Sequence, residues 1–169
     1  MQKENEKAKN TAVEISAKSV RKWEYVPCKS YGPFKLGDRI SKYLDTIEEN
    51  FGYIYYRKNP KKIGYHEYVI PILGIELWVL YGVIYTIVCE KKFMFRGYNL
   101  IKMDYAQFLE IFNVVPDHVD YKLPIEQENG RCKWQDVYDF DNLNLQLWVW
   151  RGRIVTVMAY GDWQKHIHL

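Results

Sequence analysis

Hydrophobic and polar residues alternate along two segments of the chain with the two-residue period that is typical of β-strands. Leu145–Trp150 has an aliphatic residue at every second position, and Ile154–Val157 follows after the pair Arg151-Gly152. Because glycine tolerates the positive φ of a two-residue turn, this pattern predicts a tight β-hairpin. The first half of the chain has the same arrangement in Ile75–Leu80, Tyr81-Gly82 and Val83–Val88.

The two predicted hairpins are related in sequence. Ile75–Val88 and Leu145–Met158 share six identities in fourteen positions, namely Leu77/Leu147, Trp78/Trp148, Val79/Val149, Gly82/Gly152, Ile84/Ile154 and Thr86/Thr156. Upstream, Gly37–Leu44 aligns with Lys102–Leu109 at a slightly different offset, which places the length difference in loops. Two matches in the same order predict two diverged copies of one unit.

Each unit is predicted to open with a helix. Asp38 is expected to cap a helix that runs to about Glu49, with Ile40, Tyr43, Leu44 and Ile47 on one face. Met103-Asp104 is expected to start the second, with Tyr105, Phe108, Leu109 and Phe112 inward and Pro116 after its end. Asn10–Trp23 is a candidate extra helix. Further strands are expected at Gly52–Arg57, Tyr65–Ile70, Phe93–Arg96 and Lys133–Phe140.

These elements predict an α+β fold of two diverged helix-plus-antiparallel-meander repeats, with the helices packed on one sheet face. Residues 1–22 are expected to form an N-terminal tail or the extra helix. Residues 23–169 are expected to form a single compact domain, with repeats at about 31–96 and 97–161.

One apolar segment has the length of a membrane span. Tyr68–Cys89 contains 22 residues, but its counterpart Tyr138–Ala159 contains Asp139, Asp141, Arg151 and Arg153. Charged residues at the centre of a bilayer are costly, so the shared pattern favours buried strands over a membrane segment.

Composition and cysteine use favour a globular protein of a reducing compartment. The hydrophobic fraction is 48% and the aromatic fraction 17%, which exceed those of a disordered chain. The N-terminal residues lack the apolar segment of a secretory signal, and the three cysteines are odd in number and widely spaced. We therefore expect a cytoplasmic protein.

The charges are unevenly distributed along the chain. Residues 1–62 hold 14 Lys and Arg against 8 Asp and Glu, and the remainder holds 10 against 13. The acidic stretch from Asp117 to Asp141 combines carboxylates with aromatic residues, which is typical of a docking surface for a basic protein. Its candidate partner-binding residues are Asp117, Asp120, Glu126, Glu128, Trp134, Asp136, Tyr138, Asp139 and Asp141. A long polar connection between helix and strand is the alternative.

A second segment favours a different function. Tyr53–Lys62 places Arg57, Lys58, Lys61 and Lys62 next to tyrosines, a combination that suits single-stranded nucleic acid. Because the chain is only weakly basic, with a net charge of +3, nucleic-acid binding remains the alternative. Trp78 and Trp148 are expected to pack beneath the helices or the partner repeat, with a paired exposed platform as the other possibility.

Sequence motifs for catalysis, metals or cofactors are missing. No phosphate loop, nucleophile elbow or zinc helix is present, and the four histidines are scattered. His166 and His168 form a minor metal candidate, and Asp136, Asp139 and Asp141 form a minor catalytic one. The expectation is a non-enzyme without cofactor or metal.

The run Tyr31–Asp38, followed by a helix with Tyr43-Leu44 and a meander of strands, resembles the start of many small bacterial immunity proteins. These proteins protect a cell from polymorphic toxins, including those of contact-dependent growth inhibition. The tandem helix-plus-sheet units also look like those of proteinaceous β-lactamase inhibitors. The resemblance implies a cytoplasmic protein that neutralises a basic toxin, a nuclease, by covering its active site or substrate-binding surface.

Overall fold

The structure, a computed structural model, describes residues 19–52, 54–58, 62–126 and 129–161. Thirteen strands and two α-helices are present in these ranges. In chain order they are β1 Tyr25–Val26, β2 Ser30–Tyr31, β3 Phe34–Lys35, α1 Leu44–Phe51, β4 Tyr55–Lys58, β5 Tyr65–Ile70, β6 Ile75–Leu80, β7 Val83–Cys89, β8 Met94–Phe95, β9 Tyr98–Asn99, α2 Tyr105–Phe112, β10 His118–Glu126, β11 Cys132–Phe140, β12 Leu145–Trp150 and β13 Arg153–Tyr160. Short 3-10 turns occupy Ser19–Lys22, Ile40–Lys42 and Asp141–Leu143.

Eight of the strands form one antiparallel sheet in the order β10-β11-β12-β13-β7-β6-β5-β4. Strands β1–β3 form a second small sheet, and β8 pairs with β9 in a third. The mixed α+β class predicted from the sequence is confirmed. Neither α-helix of the described residues is long and apolar enough to cross a bilayer.

The large sheet has two chemically different faces. On one face Leu77 and Leu147 are fully buried, and they share a hydrophobic cluster with Ile47 of α1 and Phe108 of α2. We call this the core face. Because successive side chains of a strand point to opposite sides, the residues between them lie on the other face, which we call the outer face.

The two halves of the sheet contain matching irregularities. The turns Tyr81-Gly82 and Arg151-Gly152 both have positive φ at their two residues, as the sequence predicted for tight hairpins. A register shift follows Trp78 in the pair β6–β7 and Trp148 in the pair β12–β13. Each hairpin therefore has the same two-residue turn and a bulge at the same distance from it.

The segment before each helix is also attached to its hairpin in the same way. Asp38 O accepts from Ile84 N at 2.9 Å, and Met103 O accepts from Ile154 N at 3.0 Å. One step further along, Ile40 N donates to Gly82 O, just as Tyr105 N donates to Gly152 O. Each bonded residue of the first half therefore has its counterpart in the second half at the position that the sequence alignment gives.

The start of the first helix differs from the prediction. A 3-10 turn at Ile40–Lys42 precedes α1, and Asp38 does not cap the helix. Its carboxylate accepts instead from the Tyr43 hydroxyl at 2.7 Å, which gives that buried side chain a partner. Burial would raise the pKa of Asp38, but the hydrogen bonds from Tyr43 and Lys42 outweigh it and lower the pKa.

The second helix starts as the sequence predicted. The Asp104 carboxylate accepts from Ala106 N at 3.0 Å and Gln107 N at 3.3 Å, which satisfies two backbone donors of the first turn. Phe108 is fully buried, and its ring centroid lies 5.2 Å from that of Phe140. This aromatic contact joins α2 to the core face of β11.

Several strand boundaries also differ. The long connection expected after α2 contains a nine-residue strand, β10, paired with β11 around a bulge near Lys122. The predicted strand Gly52–Arg57 corresponds to β4, which begins and ends later. The predicted strand Phe93–Arg96 corresponds to β8, which is shorter. Of the candidate extra helix Asn10–Trp23, the described part contains only the 3-10 turn, and the rest lies outside the described residues.

Candidate binding groove

Trp78 and Trp148 lie on the outer face of the sheet, and both are half-buried. This placement corrects the expectation that they pack beneath the helices. The strand period puts them opposite Leu77 and Leu147, which fill the core face. They stand across from Thr86 and Thr156 in their hairpins.

The floor between the two tryptophans is the junction of β7 and β13. Val88 pairs with Met158 there, and both are buried although they lie on the outer face. A groove of about 400 Å³ lies over this junction. Both tryptophans line this groove, together with Glu76, Glu90, Lys133 and Gln135.

Hydrogen bonds within the outer face hold both indoles. Trp78 Nε1 donates to Glu76 Oε2 at 3.1 Å, and Trp148 Nε1 donates to Gln146 Oε1 at 2.8 Å. The other oxygen of Glu76 accepts from Arg57 Nη2 at 2.5 Å. The walls of the groove are therefore pre-organised.

The charge inside the groove is negative. Glu76 and Glu90 both line it, and the pKa of Glu90 is raised by burial and by the neighbouring Glu76 carboxylate. Within the described residues no lysine or arginine lies within ion-pair distance of Glu90. Lys133, the cation of the lining, lies over the Trp150 ring at 4.8 Å.

Gln135 lines the groove and has a buried amide oxygen without a partner. Its side chain is only 8% exposed, and its Oε1 has no hydrogen-bond partner among the described residues. A buried polar atom without a partner is destabilising and is rare in native proteins. The groove is thus lined by Glu90, an exposed carboxylate with no ion-pair partner among the described residues, and by Gln135, whose buried amide oxygen has no hydrogen-bond partner there.

The predicted partner-binding stretch is divided between the two faces. Asp120 and Asp139 lie on the outer face, whereas Trp134, Asp136 and Tyr138 point to the core side of β11. Tyr138 stacks on Tyr105 of α2, with ring centroids 3.9 Å apart. Trp134 is 60% exposed beyond the edge of the core, and Glu126 is exposed near it. Glu128 lies outside the described residues.

Several carboxylates of this stretch have local structural partners. Asp117 Oδ2 accepts from Asp141 N at 2.7 Å, and Asp136 Oδ1 accepts from Lys122 N at 2.9 Å. Asp139 Oδ1 accepts from Gln146 Nε2 at 2.8 Å, although burial keeps the pKa of Asp139 raised. These bonds secure the β10–β11 hairpin, the turn that follows it and the pairing of β11 with β12.

The minor catalytic candidate formed by Asp136, Asp139 and Asp141 is not assembled as one cluster. Asp136 and Asp139 lie on opposite faces, and Asp141 follows the end of β11 in a 3-10 turn. Within the described ranges, no group of three or more His, Cys, Asp or Glu side chains could hold a metal ion. His166 and His168 lie outside those ranges.

The basic and aromatic segment proposed for nucleic acid is only partly described, because Tyr53 and residues 59–61 lie outside the described residues. Arg57 is engaged by two carboxylates, with its Nε 3.2 Å from Glu67 Oε2 and its Nη2 bonded to Glu76. Tyr56 pairs its hydroxyl with His66 Nδ1 at 2.7 Å. These contacts occupy groups that a phosphate or base would need.

The sequence did not predict that one groove would be lined by Glu76, Glu90, Lys133 and Gln135. The available signal was the shared position of Trp78 and Trp148 on the strand side opposite the aliphatic residues. The pairing of β7 with β13, which brings the two tryptophans to one groove, has no sequence marker. No family model, curated protein or solved structure matches this chain.

Proposed function

We propose that this chain is a cytoplasmic immunity protein that neutralises a basic protein toxin, a nuclease, by covering its active site or substrate-binding surface. The observation that supports this proposal best is the outer-face groove. It offers two half-buried tryptophans beside two carboxylates on a rigid sheet. Tryptophan anchors and complementary charge are what protein interfaces use for affinity and for steering.

The rigidity of the groove supports a binding role. Both indoles are held by hydrogen bonds, and the bulges and turns that position their strands are the same in each half. A partner that docks on such a surface orders few side chains, so less of its binding energy is lost to conformational entropy.

We also propose that the two halves are diverged copies, each a helix followed by an antiparallel meander, with both helices on the core face. The matching turns, bulges and backbone bonds to Ile84 and Ile154 support this relationship. Duplication would account for a groove with one tryptophan from each copy. Divergence would then have made its two ends different, with Glu76 in one half and Gln146 in the other.

The proposed partner surface extends from the groove toward the acidic stretch. Asp120 and Asp139 continue the outer face beyond Trp148, and their carboxylates add to its negative charge. Asp136 and Tyr138 face the other side and stabilise the fold. The outer-face members of the acidic stretch are therefore the ones we assign to binding.

The test requires that the reading frame just upstream of this gene encode the C-terminus of a large secreted toxin, and it uses the C-terminal domain of that protein as the probe. Co-expression of this chain is expected to restore growth, and the purified pair is expected to form a stoichiometric complex in calorimetry. Growth that is not restored, with no complex in the titration, would overturn the proposal.

Matched variants locate the face that binds. Trp78→Ala combined with Trp148→Ala is expected to weaken the complex by about 100-fold, as hot-spot tryptophans do. Trp134→Ala removes an exposed tryptophan from the opposite side of β11 and is expected to leave affinity unchanged. The reverse result would contradict the assignment of the outer face.

A further inference from the structure

The connection between β10 and β11 contains the pair Asn129-Gly130, and both residues are exposed. Asn129 is the one asparagine in the sequence that is followed by glycine. In such a pair the backbone nitrogen of the glycine can attack the side-chain amide of the asparagine, because the glycine has no side chain to hinder the approach. The pair is therefore a candidate for a covalent change that needs no enzyme.

The local geometry brings the reacting groups together. Arg131 N donates to Asn129 Oδ1 at 3.0 Å, so the asparagine side chain folds back over its own backbone. The ring that this hydrogen bond closes contains both the carbonyl carbon Cγ of Asn129 and the nitrogen of Gly130. Groups that are held together in one small ring react without the entropic cost of meeting.

The same hydrogen bond favours the transition state of this attack. When a nucleophile adds to Cγ, the carbonyl oxygen of Asn129 becomes an oxyanion, and Arg131 N already donates to that oxygen. Oxyanion holes stabilise such a charge with backbone N–H groups that are placed in the same way. The turn therefore supplies one preformed donor for the charge that develops.

The surroundings of Gly130 leave its nitrogen accessible. Its φ of 73° is one that glycine adopts without strain, and no heavy atom from elsewhere in the described chain lies within 4 Å of the place where a Cβ would be. Asn113 and Asn142 are also exposed, but Val114 and Leu143 follow them. These larger side chains crowd the attacking nitrogen, so the two asparagines serve as internal controls.

We infer that Asn129 is a self-modifying site, at which the turn promotes cyclisation and the loss of ammonia. A bond forms between Gly130 N and Asn129 Cγ, the bond from Cγ to Nδ2 breaks, and the proton of Gly130 N ends on the leaving ammonia. Water then opens the succinimide at either carbonyl and yields aspartate or isoaspartate. Each conversion adds one carboxylate to the acidic stretch from Asp117 to Asp141.

The full chain tests this site without a partner. It is incubated at physiological temperature and mildly alkaline pH, digested, and mapped by mass spectrometry. We expect the fragment with Asn129 to gain about 1 Da, as an amide becomes a carboxylic acid, at least about ten-fold faster than the fragments with Asn113 or Asn142. Methyl transfer from S-adenosylmethionine by an isoaspartyl methyltransferase detects the isoaspartate. Asn129→Gln lengthens the side chain by one methylene and is expected to remove both signals.

A peptide of residues 126–132 with blocked ends measures the same reaction without the fold. Because the turn and its donor Arg131 N are preformed in the folded chain, conversion there is expected to be at least as fast as in the peptide. Slower conversion in the chain, or a smaller difference between Asn129 and the two control asparagines, would overturn the inference. Dispersed amide signals establish that the chain and Asn129→Gln are folded. Neither result bears on the proposed function, which concerns the outer face.

Discussion

Trp78 donates its indole N–H to Glu76, and Trp148 donates in the same way to Gln146, two residues earlier in the matching strand. The two acceptors differ in charge, and their other contacts differ accordingly. Glu76 also pairs with Arg57, whereas Gln146 uses its amide N–H to bind Asp139. The same tryptophan position is therefore supported by two different polar networks.

Exchange of these two acceptors is expected to have unequal effects. Glu76→Gln keeps an acceptor for Trp78 and loses an ion pair whose Arg57 side chain is 46% exposed, so the free energy of unfolding should fall by only about 0.5 kcal/mol. Gln146→Glu removes the donor to Asp139 and sets two carboxylates together, so it should cost about 1–2 kcal/mol. Urea unfolding followed by tryptophan fluorescence measures both. A larger loss in Glu76→Gln would contradict this account.

The core face should respond in the same way in both halves. Leu77 and Leu147 are fully buried in one hydrophobic cluster, so each change to alanine should lower the free energy of unfolding by about 2–5 kcal/mol. Val115→Ala alters an 81% exposed side chain and should change it by less than about 0.5 kcal/mol. Fluorescence and circular dichroism should give coincident transitions, and separate transitions would show that the halves unfold independently.

The cap of α2 can be tested by one deletion and one rescue. Asp104→Ala removes the acceptor for Ala106 N and Gln107 N and should cost about 1 kcal/mol. Asp104→Ser restores a capping oxygen and should recover most of that loss. Thermal denaturation of the two variants beside the parent gives the comparison. If the alanine and serine variants were equally stable, the stabilisation by Asp104 would not come from capping the first turn of α2.

Glu90 should make the protein less stable as the pH rises. Burial and the Glu76 carboxylate raise its pKa, against the opposing effects of Arg57 and Lys91, and Lys133 lines the same groove. The folded state then binds more protons than the unfolded state between pH 4.5 and the raised pKa. The free energy of unfolding contributed by this group is therefore greatest below pH 4.5 and declines through that interval.

Glu90→Gln should remove this decline in urea unfolding measured across a pH series. Asp38→Asn provides a control of opposite sign, because the pKa of Asp38 is lowered. Its stabilising contribution is present above its ordinary value of 3.8 and is lost as the pH falls through the folded pKa. If Glu90→Gln leaves the pH profile unchanged, a raised pKa of Glu90 does not cause the decline in stability.

The strands with a strong two-residue period were predictable from the sequence, because β6 and β12 have one buried and one half-buried side. Strand β10 was not, since Pro124 and the bulge near Lys122 interrupt its pattern and most of its residues are polar and exposed. Strands of two residues, such as β1 and β8, are too short for any period to appear.

The candidate groove was only half predictable for a related reason. The strand period put Trp78 and Trp148 on the side opposite the aliphatic residues, but the expectation that they pack beneath the helices was wrong. Val88 and Met158 make both sides of the central strands apolar, which hides the face that remains open. Glu90 and Gln135 come from distant strands, and only the order of strands in the sheet brings them together.

That order also has a consequence for how the chain folds. Six of the seven pairings in the large sheet join consecutive strands, and only β7 with β13 joins distant ones, with Cys89 opposite Val157. Local hairpins close at little entropic cost, whereas one distant pairing must close a long loop. We therefore expect the two four-stranded meanders to form early and their junction to limit the folding rate. Changes at this junction should slow refolding more than equally destabilising changes within either meander.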